Sequence, residues 1–148
     1  MKPPSWHKQH PKRQEGENYH HVFFEKNLYK GSFEKMFRNH VGLVLPLNEE
    51  VHSYLHRIVP PPPKPLREEM ADCMEFIRDR DKWNHLDNPY WGIEATMQYF
   101  VYRGADKPEH EERCHDIRHN LAQQIGIMAH EHTGELSIVT IDQGDKAA

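Results

Sequence analysis

Residues 106–133 read DKPEHEERCHDIRHNLAQQIGIMAHEHT and form the longest uninterrupted helical pattern in the 148-residue chain. An apolar stripe with helical spacing runs through this stretch: Cys114, Ile117, Leu121, Ile125 and Met128. Such a stripe predicts one buried helix face, on which other helices pack. Asp106 and Glu109 match the capping-box pattern that opens a helix. The stretch therefore indicates an all-α fold, with about five helices packed on a long C-terminal helix.

Shorter helical patterns precede this stretch. One is predicted between Ser32 and Gly42, and Asn48 is typical of the residue that caps the next. A third pattern runs from Leu66 to about Leu86, and a fourth opens at Pro89 and ends at Gly104. The apolar residues 43–47 predict an irregular connector. Residues 19–29 fit a helix or a strand equally well.

The distribution of prolines and polar residues predicts three regions. Residues 1–18 are expected to form an extended arm, because three prolines interrupt any helix there. Residues 19–134 are expected to form the helical domain, with a proline-rich spacer at 60–65 between its helices. Residues 135–148 are expected to form a C-terminal tail, in which LSIVTID has the composition of a single strand.

The composition limits the classes of function. Apolar residues make up 36% of the chain and charged residues 28%, with a mean hydropathy of -0.93. With its 8 glycines added the apolar share is about 41%, against roughly 45–50% in ordinary globular domains, so we expect a weak core. The net charge of -4 argues against a protein whose main task is to bind nucleic-acid phosphates. Two cysteines are too few for a disulfide framework.

Polar residues on the long helix suggest a first metal hypothesis: Glu112, His115, Asp116 and His119. The segment CHDIRH at 114–119 resembles the metal centre of the HD-domain phosphohydrolases, which are all-helical enzymes that hold one or two metal ions. By this resemblance, His85 stands for the earlier histidine of the family and Asp142 for its later aspartate. At about 100° per residue, however, the four polar residues lie roughly 120–180° from the apolar stripe. We therefore expect this face to meet solvent or a partner.

Histidine spacing suggests a second metal hypothesis. His52 and His56, like His115 and His119, are separated by four residues, so each pair can chelate a divalent ion from one helix face. Two such helices would bring four histidines together as a structural zinc site, with Glu112 as a further ligand. Apart from zinc, no cofactor is expected. No serine lies in the G-x-S-x-G turn of a hydrolase nucleophile.

Aromatic residues in the N-terminal third suggest contacts with other proteins. Trp6 is the one tryptophan in the polar arm, and an aromatic segment follows the arm. We predict that four of these residues contact a partner: Trp6, Tyr19, Phe23 and Phe24.

These features favour a non-catalytic accessory subunit of a large assembly, with other protein subunits as partners and no direct nucleic-acid contact. A mitochondrial energy-converting complex, such as a respiratory complex or the ATP synthase, fits the near-neutral charge best. No apolar run reaches the roughly 18 residues of a membrane span, so any membrane contact is expected to be peripheral. Mitochondrial localisation is favoured over cytoplasmic. The alternatives are a metal-dependent phosphohydrolase, a zinc-stabilised helical protein, and a cytoskeletal, ciliary or ribosome-associated structural protein.

Overall fold

The computed structural model describes residues 12–81 and 88–133. In these ranges two strands and five α-helices follow one another: β1 (Glu17–His21), α1 (Ser32–Arg38), β2 (Val44–Asn48), α2 (Glu49–Ile58), α3 (Arg67–Arg80), α4 (Trp91–Asp106) and α5 (Glu111–Thr133). Short 3-10 turns lie at Lys26–Leu28, Val41–Leu43 and Pro108–His110. The described part is mostly helical, and its last helix is the longest, as predicted.

A small sheet corrects the prediction of an all-α fold. β1 and β2 pair antiparallel, with Glu17 opposite Asn48 and His21 opposite Val44. β2 covers most of the segment that we predicted as an irregular connector. Its apolar side chains are buried, and a buried connector would leave backbone N–H and C=O groups without partners. Pairing with β1 satisfies those groups, which is why the segment forms a strand.

The sheet leads directly into α2. β2 ends at Asn48, and the side-chain oxygen of Asn48 accepts hydrogen bonds from the backbone N–H groups of Glu50 (2.9 Å) and Val51 (3.4 Å). This confirms the predicted helix cap. α2 contacts both strands. The chain thereby builds a strand–strand–helix unit in which β1 and α2 lie side by side.

The ends of three helices differ from the prediction. α1 ends at Arg38, short of Gly42, because a 3-10 turn begins at Val41. α4 continues past Gly104 to Asp106, so Asp106 closes that helix and does not cap α5. Pro108 then opens a 3-10 turn that separates the two helices. α3 is described as far as Arg80, and the rest of the pattern predicted to reach Leu86 lies outside the described residues, apart from Asp81.

The core confirms the predicted stripe on α5. Cys114, Ile117 and Leu121 are fully buried and Met128 nearly so, while Ile125 is partly buried against the same cluster. α4 packs on both α3 and α5, and apolar residues of the strand unit belong to the same cluster. The low apolar fraction of the sequence therefore still gives a continuous core in the described part of the chain.

A buried carboxylate joins the three longest helices. Glu69 on α3 accepts hydrogen bonds from Arg113 on α5, from Arg103 on α4 (3.0 Å) and from the backbone N–H of Leu66 (2.8 Å). Burial alone would raise the pKa of Glu69. The bonds from Arg113, Leu66 and Arg103 outweigh burial and lower its pKa, so the group stays ionised. This network fixes how α4 and α5 lie on α3.

Several predictions concern residues outside the described ranges. Trp6, His85, Asp142 and the tail at 135–148 lie there, as does most of the arm at 1–18. The arm was predicted to end at residue 18, but Glu17 and Asn18 already belong to β1. Among the helices that the structure describes, none combines the length and apolar character needed to cross a membrane.

Candidate metal centre

Three histidines from two elements meet beside the small sheet. His20 comes from β1, and His52 and His56 come from successive turns of α2. One ring nitrogen from each histidine lies within 4.8 Å of the others. The strand–strand–helix unit explains the meeting, because β1 pairs with β2 and β2 continues into α2. Imidazole nitrogen is the commonest protein ligand for zinc and related ions.

His52 and His56 already face one another. Their Nε2 atoms are 2.9 Å apart, and their ring centroids are 4.5 Å apart at an interplanar angle of 85°. In this arrangement one Nε2 donates a proton and the other accepts it. When that proton moves to the opposite ring nitrogen, both Nε2 lone pairs become available to a single ion. The pair is therefore arranged as a chelate on one face of α2.

A side chain of α5, Gln124, holds the ring of His20 by a hydrogen bond. Nε2 of His20 lies 2.8 Å from Oε1 of Gln124, and both side chains are fully buried. The amide nitrogen of Gln124 donates to the backbone oxygen of Val22 (3.0 Å) and to Oδ1 of Asn120 (2.7 Å). Nδ1 of His20 is buried and has no hydrogen-bond partner among the described residues. A buried nitrogen of this kind is unusual in a protein interior, where polar atoms are nearly always paired.

All three rings favour the neutral form that binds metals. Burial, with smaller effects from neighbouring histidines, lowers the pKa of His20 to about 3, although the bond to Gln124 acts in the opposite direction. Partial burial and then the neighbouring His56 lower the pKa of His52, and partial burial of the ring lowers the pKa of His56, although the residue as a whole is exposed. At pH 7 protons therefore compete little with a metal ion for these nitrogens.

The cluster is closed on one side and open on another. The ring of Phe24 packs against His56, with 4.4 Å between centroids, and lies 5.8 Å from His20. His20 is fully buried, His52 is partly buried and His56 is exposed. An ion held by the three nitrogens would therefore have protein behind it and solvent access beside His56. Three protein ligands with an accessible fourth position are characteristic of catalytic zinc sites.

The other predicted ligands lie elsewhere. On α5, the rings of His115 and His119 stack with centroids 6.1 Å apart, and Nδ1 of His115 lies 3.6 Å from a carboxylate oxygen of Asp116. Glu112, His115 and Asp116 are exposed, as the helix geometry predicted. Within the described ranges these residues do not join the His52–His56 pair in a cluster of three or more ligands. The predicted site of four histidines on two helices is therefore not assembled.

The aromatic residues predicted as partner contacts have varied positions. Phe23 is fully buried in the core, with ring centroids 4.9 Å from Phe37 and 6.3 Å from Tyr29. Tyr19 is partly buried, and the guanidinium of Arg13 lies 5.8 Å from its ring centroid. Phe24 lines the histidine cluster. Much of the aromatic content of this segment thus serves the core and the candidate site.

Sequence reasoning missed His20, Asn120 and Gln124. The signal for His20 was present as the adjacent histidines of NYHHVFF, but the segment fitted a helix or a strand. Only the pairing of β1 with β2 brings His20 beside α2. Asn120 and Gln124 occupy positions on α5 next to the apolar stripe. Their burial depends on polar groups of other elements that helix periodicity alone does not locate.

The chain was compared with known protein families, curated proteins and solved structures, and none of them matches it.

Proposed function

We propose that this protein binds a divalent transition-metal ion, zinc by preference, through His20, His52 and His56, and uses it to hydrolyse phosphate esters. The proposal depends on one observation: three neutral histidines, one from β1 and two from α2, place their ring nitrogens close together. A tetrahedral zinc site separates its ligand nitrogens by roughly 3.4 Å. The three ring nitrogens lie within 4.8 Å of one another, so an ion would be bound after adjustment of the less buried rings of His52 and His56.

The ligand set favours an anionic substrate. Three neutral imidazoles leave the full double positive charge on the ion, whereas carboxylate ligands would offset part of it. A phosphate oxygen is therefore a better partner for the open position than an uncharged carbonyl. The ion would polarise the phosphate and lower the pKa of a bound water molecule.

In hydrolysis, the oxygen of the attacking water would form a bond to phosphorus while the ester P–O bond breaks. One proton of the water would pass to the solvent beside the exposed His56, and the leaving oxygen would take up one proton.

Metal binding is the first test. Purified protein should hold one zinc per chain. His52→Ala removes a direct ligand, so it should lower zinc affinity by more than about 100-fold, the upper end of the loss seen when a residue that only supports a ligand is removed. His115→Ala is the matched control, because it removes an exposed histidine from α5. Titration calorimetry gives both affinities. Failure of the wild-type protein to bind zinc, or equal losses in the two variants, would refute the metal site.

Hydrolysis is the second part of that test. The zinc-loaded protein should cleave bis(p-nitrophenyl) phosphate faster than p-nitrophenyl acetate, measured against the rate of free zinc. His52→Ala should lower the rate towards that of free zinc, because it loses the bound ion, whereas His115→Ala should leave the rate unchanged. Stoichiometric zinc without cleavage of either compound would separate the metal site from the hydrolase proposal and favour a structural zinc.

A non-catalytic accessory subunit is the second candidate. It is favoured by two adjacent apolar side chains on α4, Val101 and Tyr102, which are 54% and 63% exposed. Phe76 on α3 extends this surface, with its ring centroid 6.0 Å from that of Tyr102. A neighbouring protein subunit would cover such a patch. An accessory subunit should melt with poor cooperativity when isolated, whereas one sharp calorimetric transition argues against this role. The assembly and its mitochondrial location stay predictions from composition.

A further inference from the structure

The amide of Gln124 has a defined orientation. Its nitrogen has two hydrogens, and the two acceptors beside it are the backbone oxygen of Val22 (3.0 Å) and Oδ1 of Asn120 (2.7 Å). Rotating the amide by 180° would place its oxygen against those two oxygens and lose both bonds. Oε1 is therefore the atom that faces His20. Since Oε1 only accepts hydrogen bonds, Nε2 of His20 carries the proton.

This bond determines which nitrogen of His20 binds an ion. A neutral imidazole carries one proton, so a proton on Nε2 leaves the lone pair on Nδ1. Nδ1 is the buried nitrogen without a hydrogen-bond partner in the described part of the chain. The bond to Gln124 also limits rotation of the ring. His20 is thereby held in the tautomer whose Nδ1 lone pair can bind an ion.

A second bond fixes Gln124 itself. Asn120 lies one turn earlier on α5, and its Nδ2 donates to the backbone oxygen of Pro60 (2.6 Å) in the proline-rich segment after α2. That bond turns Oδ1 of Asn120 towards the amide of Gln124. The chain of contacts thus runs from the segment after α2, through α5, to a histidine on β1.

We propose that Gln124 is a positioning residue that fixes the Nε2–H tautomer of His20 and thereby raises the affinity of the histidine cluster for zinc. The proposal rests on the metal site proposed above and adds a role for α5, which supplies no ligand. Residues that hold a metal-binding histidine by its other nitrogen typically contribute about 10- to 100-fold in affinity. In this protein the amide oxygen of Gln124 accepts the hydrogen bond from the histidine, whereas many metal sites use a carboxylate for that contact.

The tautomer is tested directly on the wild-type protein without metal. Nitrogen-15 NMR of labelled, chelator-treated protein distinguishes a protonated from an unprotonated ring nitrogen. We expect His20 to carry its proton on Nε2, with the Nδ1 signal at the position of an unprotonated nitrogen. A proton on Nδ1, or fast exchange between the two forms, would overturn the inference without any substitution.

Zinc affinity provides the second readout. Gln124→Met keeps the length of the side chain but removes the acceptor, and we expect it to lower zinc affinity about 10- to 100-fold. Gln123→Met is the matched control on the same turn and should leave affinity unchanged. Both variants are measured by competition with a chelator, under conditions where circular dichroism shows them folded. Equal affinity of folded Gln124→Met and wild type refutes the positioning role alone, whereas a wild type that binds no zinc refutes the proposed function.

Should Gln124→Met not fold, Asn120→Ala tests the same chain of contacts. Alanine removes one of the two acceptors that orient the amide of Gln124, together with the bond to Pro60. We expect an intermediate loss of zinc affinity and a larger share of the Nδ1–H form of His20. An unchanged tautomer together with unchanged affinity contradicts the proposal.

Discussion

His20 is a titratable side chain that the fold keeps neutral. Burial is the main reason why its pKa falls to about 3, against about 6.5 for an exposed histidine. The unfolded chain therefore binds a proton at this residue below about pH 6.5, while the folded chain does not until near pH 3. By linkage, the contribution of His20 to stability is complete above pH 6.5 and is lost as the pH falls towards 3.

We accordingly predict that the metal-free protein loses stability between pH 6.5 and 5. His20 alone contributes a loss of about 1.5 kcal/mol over this window, and the lowered pKa values of His52 and His56 act in the same direction. Urea denaturation at several pH values measures it. The window lies above the pKa of Glu69, so that carboxylate adds little.

The control for this prediction is His20→Gln, which removes the titrating group. Its overall stability is expected to be lower, but its dependence on pH in the same window should be flatter than that of the wild type. A wild type whose stability does not change from pH 6.5 to 5, or a variant with the same slope, contradicts the assignment of a buried neutral His20.

The sequence predicted only two of the three histidines of the candidate site. The spacing of His52 and His56 identified a chelating pair, because positions four residues apart share a helix face. The third histidine comes from a strand pairing between segments more than 20 residues apart in the sequence. Such non-local pairing leaves no periodic pattern in either segment. Gln124 was equally hidden, since its burial depends on a donor in β1, His20, and on two acceptors, the backbone oxygen of Val22 and Oδ1 of Asn120 on α5.

Two glycines set the distance between α4 and the turn that precedes β2. A Cβ atom on Gly42 would lie 2.8 Å from Cγ2 of Ile77 and 3.0 Å from Cα of Gly92. A Cβ atom on Gly92 would overlap the backbone of Gly42, including its carbonyl oxygen. The first turn of α4 therefore packs backbone to backbone against the Val41–Leu43 turn. This contact positions the start of β2, and hence α2 with its histidines.

Gly92→Ala is expected to destabilise the protein by about 3 kcal/mol, the upper end for an overpacked core position, because neither backbone can move away without shifting a whole element. Gly126→Ala is the matched control within a helix. A Cβ atom there meets nothing within 4 Å, so alanine should stabilise α5 by about 0.5–1 kcal/mol. Thermal unfolding of both variants measures these effects. A neutral Gly92→Ala would contradict the close packing.

The elements themselves were partly predictable. Helix periodicity located all five helices, because each has one apolar face and polar flanks. The cap at Asn48 was equally local, since its side chain bonds to the residues that follow it. The sheet was missed because β2 consists of four apolar residues, one of them a proline, followed by Asn48, and so has no alternation of polar and apolar residues. The end of α4 was misplaced because a glycine is tolerated inside a helix where another side chain packs closely on it, as the carboxylate of Glu111 does on Gly104.

In the described part of the molecule, the helical layer of α3, α4 and α5 supports the strand–strand–helix unit that carries the three histidines. One face of α5 packs on the core through its apolar stripe, and the adjacent face presents Gln124 to His20. Because the ligands come from β1 and α2, a metal ion would join elements that otherwise meet through the sheet and the core. The proposed metal binding at His20, His52 and His56 is therefore the claim on which this account of the molecule depends.

The most direct measurement of that binding is the position of the ion. Crystals of the full chain grown with zinc, with diffraction recorded on both sides of the zinc absorption edge, give an anomalous difference map that locates zinc independently of the protein atoms. We predict one strong peak at about 2.0–2.1 Å from Nδ1 of His20 and from Nε2 of both His52 and His56. A peak at His115 and His119 instead, or none at the three histidines, would contradict this account.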